Sequence, residues 1–281
     1  MKIFVLLTCH NRKQKTLHCL NLLYSQKVQG IDLETFLVDD GCTDGTADAV
    51  RQVYPQVNLI QGDGTLFWNR GMCLAWEEAR KHGEHDAVLW LNDDTMLFPD
   101  AVQTIVSLSE DHPDSIIVAT IKSVNGDRIT YGGFHKGKLI KPDGSLHTCD
   151  KFNGNCMFVP VSVSNKIGYL DPYYRHSKGD FDYAIRACQA GIKNIVAPVL
   201  GICDRNPPGP IWNKGNIIQR FKKLYSPLGN NPFEIYHIKK KTSTIKAIYG
   251  FMYIHFRVLL TYIVSQELIN KINEKKADNK L

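Results

Sequence analysis

The sequence predicts an α/β fold: a mostly parallel sheet with helices on both faces, followed by a helical C-terminal extension. Three observations carry this expectation. Short apolar runs alternate with segments of helical spacing through residues 1–95, the pattern of strand–helix–strand units. Those runs are continuously apolar, as in strands covered on both faces. Asn206-Pro207-Pro208-Gly209-Pro210 then breaks regular structure ahead of a basic, aromatic segment. The expected organisation is one domain over 1–210, divided into halves 1–95 and 96–210, and an extension over 211–281.

Ile3 to Thr8 reads as a buried strand, too short for a signal peptide and without a small-residue cleavage site. Arg12 to Val28 has helical spacing, with Leu17, Leu20, Leu23 and Tyr24 on one side. Thr35 to Val38 is a second strand, ending in Asp39-Asp40-Gly41. Thr46 to Tyr54 is a helix, Asn58 to Ile60 a strand, and Asn69 to His82 a helix that Gly83 terminates. Ala87 to Leu91 is a fourth strand, ending in Asn92-Asp93-Asp94. From Ser115 the pattern becomes β-like, with runs at Ile116–Ile121, Ile129–Tyr131 and Phe152–Val159. Turns such as Asn125-Gly126-Asp127 and Pro142-Asp143-Gly144 favour hairpins there. Phe181 to Ala190 returns to helix and Asn194 to Ile202 to strand.

The composition, 43% hydrophobic and 22% charged over 281 residues, excludes a disordered chain, a fibrous repeat and a multi-span membrane protein. The formal charge of +6 is uneven: residues 211–281 carry +9 and the rest −3. Only the C-terminal end therefore calls for an anionic neighbour. Ala247 to Val264 is apolar and close to one membrane span in length. His255 and Arg257 sit near its centre, where a charge costs about 2.5–3.5 kcal/mol, so a spanning helix is not expected. Arg220, Lys222, Lys223, Lys239, Lys240, Lys241 and Lys246, interleaved with aromatics, suit an anionic membrane surface. The competing reading is a helix packed on the core or in a dimer. The eight cysteines include no C-x-x-C pair and read as free thiols of a reducing cytosol.

Three polar clusters fall at strand ends, where open α/β sheets bind ligands. Asn92-Asp93-Asp94 places two carboxylates side by side, and they repel unless a cation or solvent separates them. Oxygen ligands favour Mg²⁺ or Mn²⁺, which bridge carboxylates to phosphates. A solvated turn or a helix N-cap is the structural alternative. Asp39-Asp40-Gly41-Cys42-Thr43-Asp44-Gly45-Thr46 offers carboxylates to a base or ribose, while Asp44 or Thr46 can cap the following helix. Gly62-Asp63-Gly64 and Asn69-Arg70-Gly71 form a third loop, in which Arg70 can pair with phosphate.

Together these residues resemble the nucleotide-diphospho-sugar transferases of glycosyltransferase family 2, which have the GT-A fold. The strand Ile3–Thr8 with His10-Asn11-Arg12 is similar to the family's first motif. Val38 to Thr46 is very close to its second, with Cys42 where Ser is usual. Leu91-Asn92-Asp93-Asp94-Thr95 resembles its DxD-type metal motif. Gly168 to Asp171, with Gly179-Asp180-Phe181-Asp182-Tyr183-Ala184-Ile185-Arg186 and Ala190-Gly191, is similar to the acceptor-side motif. The resemblance covers roughly residues 1–205.

It implies an inverting transfer from a UDP-, dTDP- or GDP-linked sugar with one divalent cation, Mg²⁺ or Mn²⁺. By position, Asp39 holds the base, Asp93 the ribose, and Asp94 with Asp93 the metal on the diphosphate. Asp180 is the general base that deprotonates the acceptor hydroxyl; a helix cap is its structural alternative. Thr8, His10, Asn11, Arg12, Gly62, Gly64, Asn69 and Arg70 complete the donor side. Asp182, on a different face of the helix from Asp180, is structural or acceptor-contacting, and Trp212 is assigned with it to the acceptor side. Two positions depart from the pattern: Gly179 stands where Glu is frequent, and no His follows the last core strand. Asp204 or Cys203 stands there instead, and a hard ion favours Asp204.

The expected acceptor is a saccharide or lipid-linked saccharide of surface-polysaccharide synthesis. The expected location is cytoplasmic, at the inner face of the cell membrane if the basic segment binds it; a nucleic-acid partner is not expected. A sugar nucleotidyltransferase is the second enzyme reading, opposed by the lack of glycine in Thr8-Cys9-His10-Asn11-Arg12. A non-catalytic sugar- or nucleic-acid-binding protein is the third, opposed by Asp94 and Asp180.

Overall fold

The structure, a computed structural model, describes residues 1–204 and 211–264. The chain divides into two compact units, Met1–Asn206 and Pro207–Leu281. In chain order the first unit comprises β1 (Lys2–Cys9), α1 (Lys13–Tyr24), β2 (Asp32–Asp39), α2 (Thr46–Val53), β3 (Asn58–Gln61), α3 (Phe67–Ala79), β4 (Ala87–Leu91), β5 (Met96–Leu97), α4 (Ala101–Asp111) and β6 (Ile116–Lys122). It continues with β7 (Ile129–Tyr131), β8 (Gly133–His135), β9 (Lys138–Leu139), β10 (His147–Thr148), β11 (Lys151–Phe152), β12 (Cys156–Pro160), α5 (Val161–Ile167), α6 (Gly179–Gln189) and β13 (Asn194–Ile202).

The main sheet runs β10-β13-β6-β12-β4-β1-β2-β3, with β5 beside β13 and β7 beside β6. Strands β4, β1, β2 and β3 are parallel neighbours. Strand β12 is antiparallel to both β4 and β6, while β13 runs parallel to β6. Strands β11, β8 and β9 form a small antiparallel sheet.

The continuous apolar run of β1 is explained by burial on two sides. Ile3, Val5 and Leu7 enter one core with Cys19, Leu20 and Leu23 of α1, Val50 of α2 and Ile105 of α4. Phe4 and Leu6 enter the other with Met72, Ala75 and Trp76 of α3, Val163 of α5 and Tyr183 of α6. Trp90 of β4 is fully buried on that second side and meets Trp76 and Tyr183 edge-on. Truncating such an aromatic costs about 3–5 kcal/mol.

Three details differ from expectation. Helices α4 and α5 lie outside the expected elements. The first carries Val102, Ile105 and Val106 at helical spacing; the second is only seven residues long and is stopped by Gly168 at φ +77°. The run Phe152–Val159 is two strands, because Asn153 to Asn155 leave the small sheet to join the large one: the Asn153 N–H reaches Gly132, and the Asn155 carbonyl accepts from Asn92.

In the second unit, α7 (Ile217–Leu224), α8 (Pro232–Lys240) and α9 (Thr244–Ile263) enclose a core of Trp212, Leu224, Ile235, Ile254 and Val258. Asn216 and Ser243 accept N–H bonds at the starts of α7 and α9. No helix among the described residues is long and apolar enough to cross a membrane.

Candidate active site

The chain runs from β1 outward to β2 and β3, then returns to place β4 on the other side of β1. That reversal opens a crevice at the carboxyl ends of β1 and β4, the usual ligand position in such sheets. Register sets Cys9 opposite Asp39, so the loops after β1 and β2 meet. The His10 Nδ1–H donates to the Asp40 carbonyl at 2.6 Å, and Asn11 Oδ1 accepts the Thr43 N–H at 2.7 Å. Asn11 takes a left-handed φ of +52°, which asparagine tolerates well. Asp44 joins two helix starts, accepting the N–H of Lys13 with one oxygen and of Thr46 with the other.

Asp39 and Asp40 are both buried but face different tasks. Asp39 Oδ1 accepts the Cys42 N–H at 2.8 Å. Asp40 accepts from Gly64, Leu66 and Phe67 and so folds the 62–67 loop onto the end of β2. The glycines permit this approach: a Cβ on Gly62 would lie 3.0 Å from Asp40 Cα, and one on Gly41 2.8 Å from Gly64 Cα. Gly62 and Gly64 therefore shape the loop. Phe67 begins α3 at a φ of +57°, a strained conformation of the kind found at functional sites.

At the end of β4, the counter-ion between the paired carboxylates is Arg12. Its Nη1 donates to Asp93 Oδ1 at 3.2 Å and Asp94 Oδ2 at 2.8 Å. The second oxygen of Asp93 accepts from Thr16. Burial pushes the Asp93 carboxyl up to about 6 against the opposing pull of Arg12. Burial pulls the Arg12 guanidinium down, but the two carboxylates outweigh it and hold it above its ordinary value. Thr8 lies against the helix behind this pair, where a Cβ on Gly71 would collide with its hydroxyl.

Asp180 stands at the start of α6 and reaches the same place through a short chain of contacts. Its Oδ2 accepts the Gly154 N–H at 3.1 Å, and Oδ1 accepts the N–H of Phe181 at 2.8 Å. The next residue, Asn155, accepts the Asn92 N–H at 2.9 Å. The Trp68 indole N–H donates to Asn92 Oδ1 at 2.7 Å, and its ring packs where a Gly154 side chain would sit. Asp180 is thus two backbone links from Asp93. Burial raises its carboxyl to about 6, with the two N–H bonds pulling the other way.

Several expected site residues are elsewhere or otherwise occupied. Asn69 is fully buried and donates to the carbonyls of Asp171 and Tyr174, tying α3 to that loop rather than facing a nucleotide. Its amide fills the space a Gly179 side chain would need, which accounts for glycine where the family often has Glu. Arg70 donates through Nε to the Pro172 carbonyl. Asp182 is fully buried between the Tyr174 hydroxyl and Arg186, so it is a structural carboxylate and not an acceptor contact. Trp212 belongs to the core of the second unit. Asp204 accepts the Val124 N–H; the group beside Asp94 is the Cys203 thiol, 3.5 Å from Oδ1 and pushed up to about 12 by burial and that carboxylate. Both carboxylates have both oxygens partnered, Asp93 by Arg12 and Thr16 and Asp94 by Arg12 and Cys203, so a cation would have to displace Arg12, and the carboxylate it could then reach more readily is the slightly less buried Asp94. Its partners are a thiol and a guanidinium whose side chain is 36% exposed and can be displaced. One carboxylate plus substrate phosphates is a usual Mg²⁺ set, so the residues fit such an ion.

Sequence gives Trp68 and Gly154 no role and reads Asn92 only as part of the Asn92-Asp93-Asp94 cluster; only the fold shows that the three meet. His176 has a buried Nδ1 with no hydrogen-bond partner, and burial and then Arg12 lower its pKa.

Residues 4–160 match the profile of Glycosyl transferase family 2, more than half of the chain. No curated protein matches the chain in sequence. Among solved structures, the chain resembles S. aureus TarS 1-349 in complex with UDP-GlcNAc, at 15% identity and TM-score 0.59 over 89% of this chain and 73% of that one. It also resembles the mannosyltransferase PcManGT from Pyrobaculum calidifontis in complex with GDP-Man and Mn²⁺, at 17% identity and TM-score 0.56 over 99% and 80%. These likenesses establish the GT-A fold, and with the profile match they settle the assignment: the chain belongs to glycosyl transferase family 2 and is a glycosyltransferase.

Proposed function

We propose that this glycosyltransferase is an inverting, metal-dependent enzyme that moves a sugar from a UDP-, dTDP- or GDP-sugar to a hydroxyl of a saccharide or lipid-linked saccharide in surface-polysaccharide synthesis. The observation that carries the reading is the link Asp180–Gly154/Asn155–Asn92, which sets a carboxylate beside the acidic end of β4. Asp39 anchors the base from the end of β2. Arg12, steered by Asp93, offers a guanidinium for the diphosphate. Asp94 would hold Mg²⁺ or Mn²⁺, whose charge stabilises the departing diphosphate. Asp180 accepts the acceptor's proton as its oxygen bonds to the anomeric carbon. The bond from that carbon to the diphosphate breaks, its electron pair leaves with the phosphate, and a single displacement inverts the centre. With its carboxyl raised by burial to about 6, Asp180 is ionised at neutral pH yet basic enough to assist.

The second unit supports an acceptor at a membrane surface. Ile245, Ile248, Tyr249, Met252, Phe256 and Ile263 of α9 are exposed along one face, opposite Ala247, Gly250, Ile254 and Val258 of its packed face. Residues 211–264 carry nine Lys and Arg against the single acid Glu234. Such a charge repels a second copy and attracts anionic lipid. The test is release of nucleoside diphosphate from a panel of UDP-, dTDP- and GDP-sugars with Mn²⁺. One nucleotide series should turn over, and turnover of none would refute the donor reading.

A further inference from the structure

The site lies beside a second cluster of different chemistry. Cys9, Asp39 and Cys42 each present a ligand atom, all within 4.8 Å of one another, and no other such trio occurs among the described residues. We infer that these three side chains form a site for a soft divalent cation, of the Zn²⁺ or Cd²⁺ class, whose occupation excludes the donor nucleotide.

The distance between sulfurs is the first argument. Cys9 Sγ and Cys42 Sγ are 3.8 Å apart. Metal–sulfur bonds of about 2.3 Å at a tetrahedral angle put two sulfurs about 3.8 Å apart, whereas a disulfide requires about 2.05 Å. The present spacing already matches the metal geometry. The donors are the second argument. Two sulfurs and one carboxylate suit a soft or borderline ion, in contrast to the oxygen set at Asp94. The third is support around the sulfur: the Asn11 N–H points at Cys42 Sγ from 3.2 Å, a bond that favours a metal-bound thiolate. Cys42 is half-buried, which gives an ion a way in. Binding is balanced by loss of two thiol protons as two metal–sulfur bonds form, leaving one coordination position open.

Exclusion of the nucleotide rests on the reading of Asp39 as the base anchor, since a metal-bound carboxylate no longer serves a base. The test uses the full, reduced chain with Cd²⁺, followed by the ultraviolet thiolate-to-cadmium absorption. One equivalent should bind with that absorption and abolish the thermal shift given by UDP or GDP with Mg²⁺. Cys42→Ser, which can still accept the Asn11 N–H, should fold and lose the absorption. Cys203→Ser, altered beside Asp94, should retain it. Asp39→Asn should weaken cadmium about 10-fold or more, because even outer-shell changes cost ~10–100-fold. No absorption in the unaltered chain, or one unchanged in Cys42→Ser, overturns the site. Cadmium bound with the nucleotide shift intact overturns the exclusion. Absence of a nucleotide shift without cadmium refutes the donor reading instead, and the absorption still decides the metal site.

Discussion

Replacing Asp180 by Asn separates chemistry from stability at one atom pair. The carboxyl is held near 6 in the fold against an ordinary 3.8. A gap of about two units corresponds to roughly 3 kcal/mol at about 1.36 kcal/mol per unit. The sign follows from the direction. A raised carboxyl binds its proton more tightly in the folded state, so the cost is absent below about pH 4, grows between 4 and 6, and is complete above 6. Asn removes that cost with the charge, but its amide nitrogen cannot accept, so either the Gly154 or the Phe181 N–H loses its acceptor, at about 1–3 kcal/mol. The two effects oppose each other at pH 8, so Asp180→Asn should leave Tm there close to that of the unaltered enzyme and lower it near pH 4, where only the lost hydrogen bond remains. General-base loss should lower kcat about 10²–10⁴-fold while donor affinity persists. In the unaltered enzyme kcat/KM should rise through about pH 6 to a plateau. Thermal melts at both pH values, paired with a transfer assay, read all of this. Near-normal transfer would refute the base assignment; a lower Tm at pH 8 would show that the carboxylate holds α6 in place.

Nucleoside-diphosphate binding, measured by thermal shift, should need Mn²⁺ or Mg²⁺ and lose that dependence in Asp94→Asn; equal affinity in EDTA removes the metal role. Asp182→Asn should cost about 2–4 kcal/mol of stability by leaving Arg186 and Tyr174 without their shared carboxylate, with donor binding retained in the folded fraction. Trp68→Ala should lower transfer more than donor affinity, because it removes the side chain that bonds Asn92 and packs against Gly154; an unchanged rate would make Trp68 a packing residue only. Met252→Glu with Phe256→Glu should abolish salt-sensitive binding to anionic liposomes, and unaltered binding would move the contact off α9.

The strand–helix order through β4 is legible because each strand is a short apolar run and each helix begins after a polar turn. The acidic ends of β2 and β4 and the start of α6 are legible as motifs. What sequence does not show is which oxygen is already spoken for. Asp39 and Asp40 are adjacent and chemically identical, yet Asp40 is consumed by three loop N–H groups. Asp182 lies two residues from Asp180 but turns inward to Tyr174. Asn69 and Trp212 fit a binding surface by type and are core residues by position. The role of Cys203 against that of Asp204 depends on one residue of strand alternation at the end of β13, which only pairing fixes.

The antiparallel join of β12 to β4 has a consequence for how such an enzyme changes its acceptor. Asn92 and Asn155 meet across that rung, while the intervening hairpins β7 to β10 hang from the far side of the sheet or from the small one. The bases of those hairpins are tied to the same region: the Asn153 N–H reaches Gly132, Phe134 packs edge-on against Phe181 beside Asp180, and the buried Thr130 bonds Ile121 and Cys203. Only the exposed tips at 124–128, 135–138 and 143–146 can therefore change in length or sequence without moving Asp180 relative to Asp94, so the interchangeable fitting is the rim of the hairpins and the mount includes their stems.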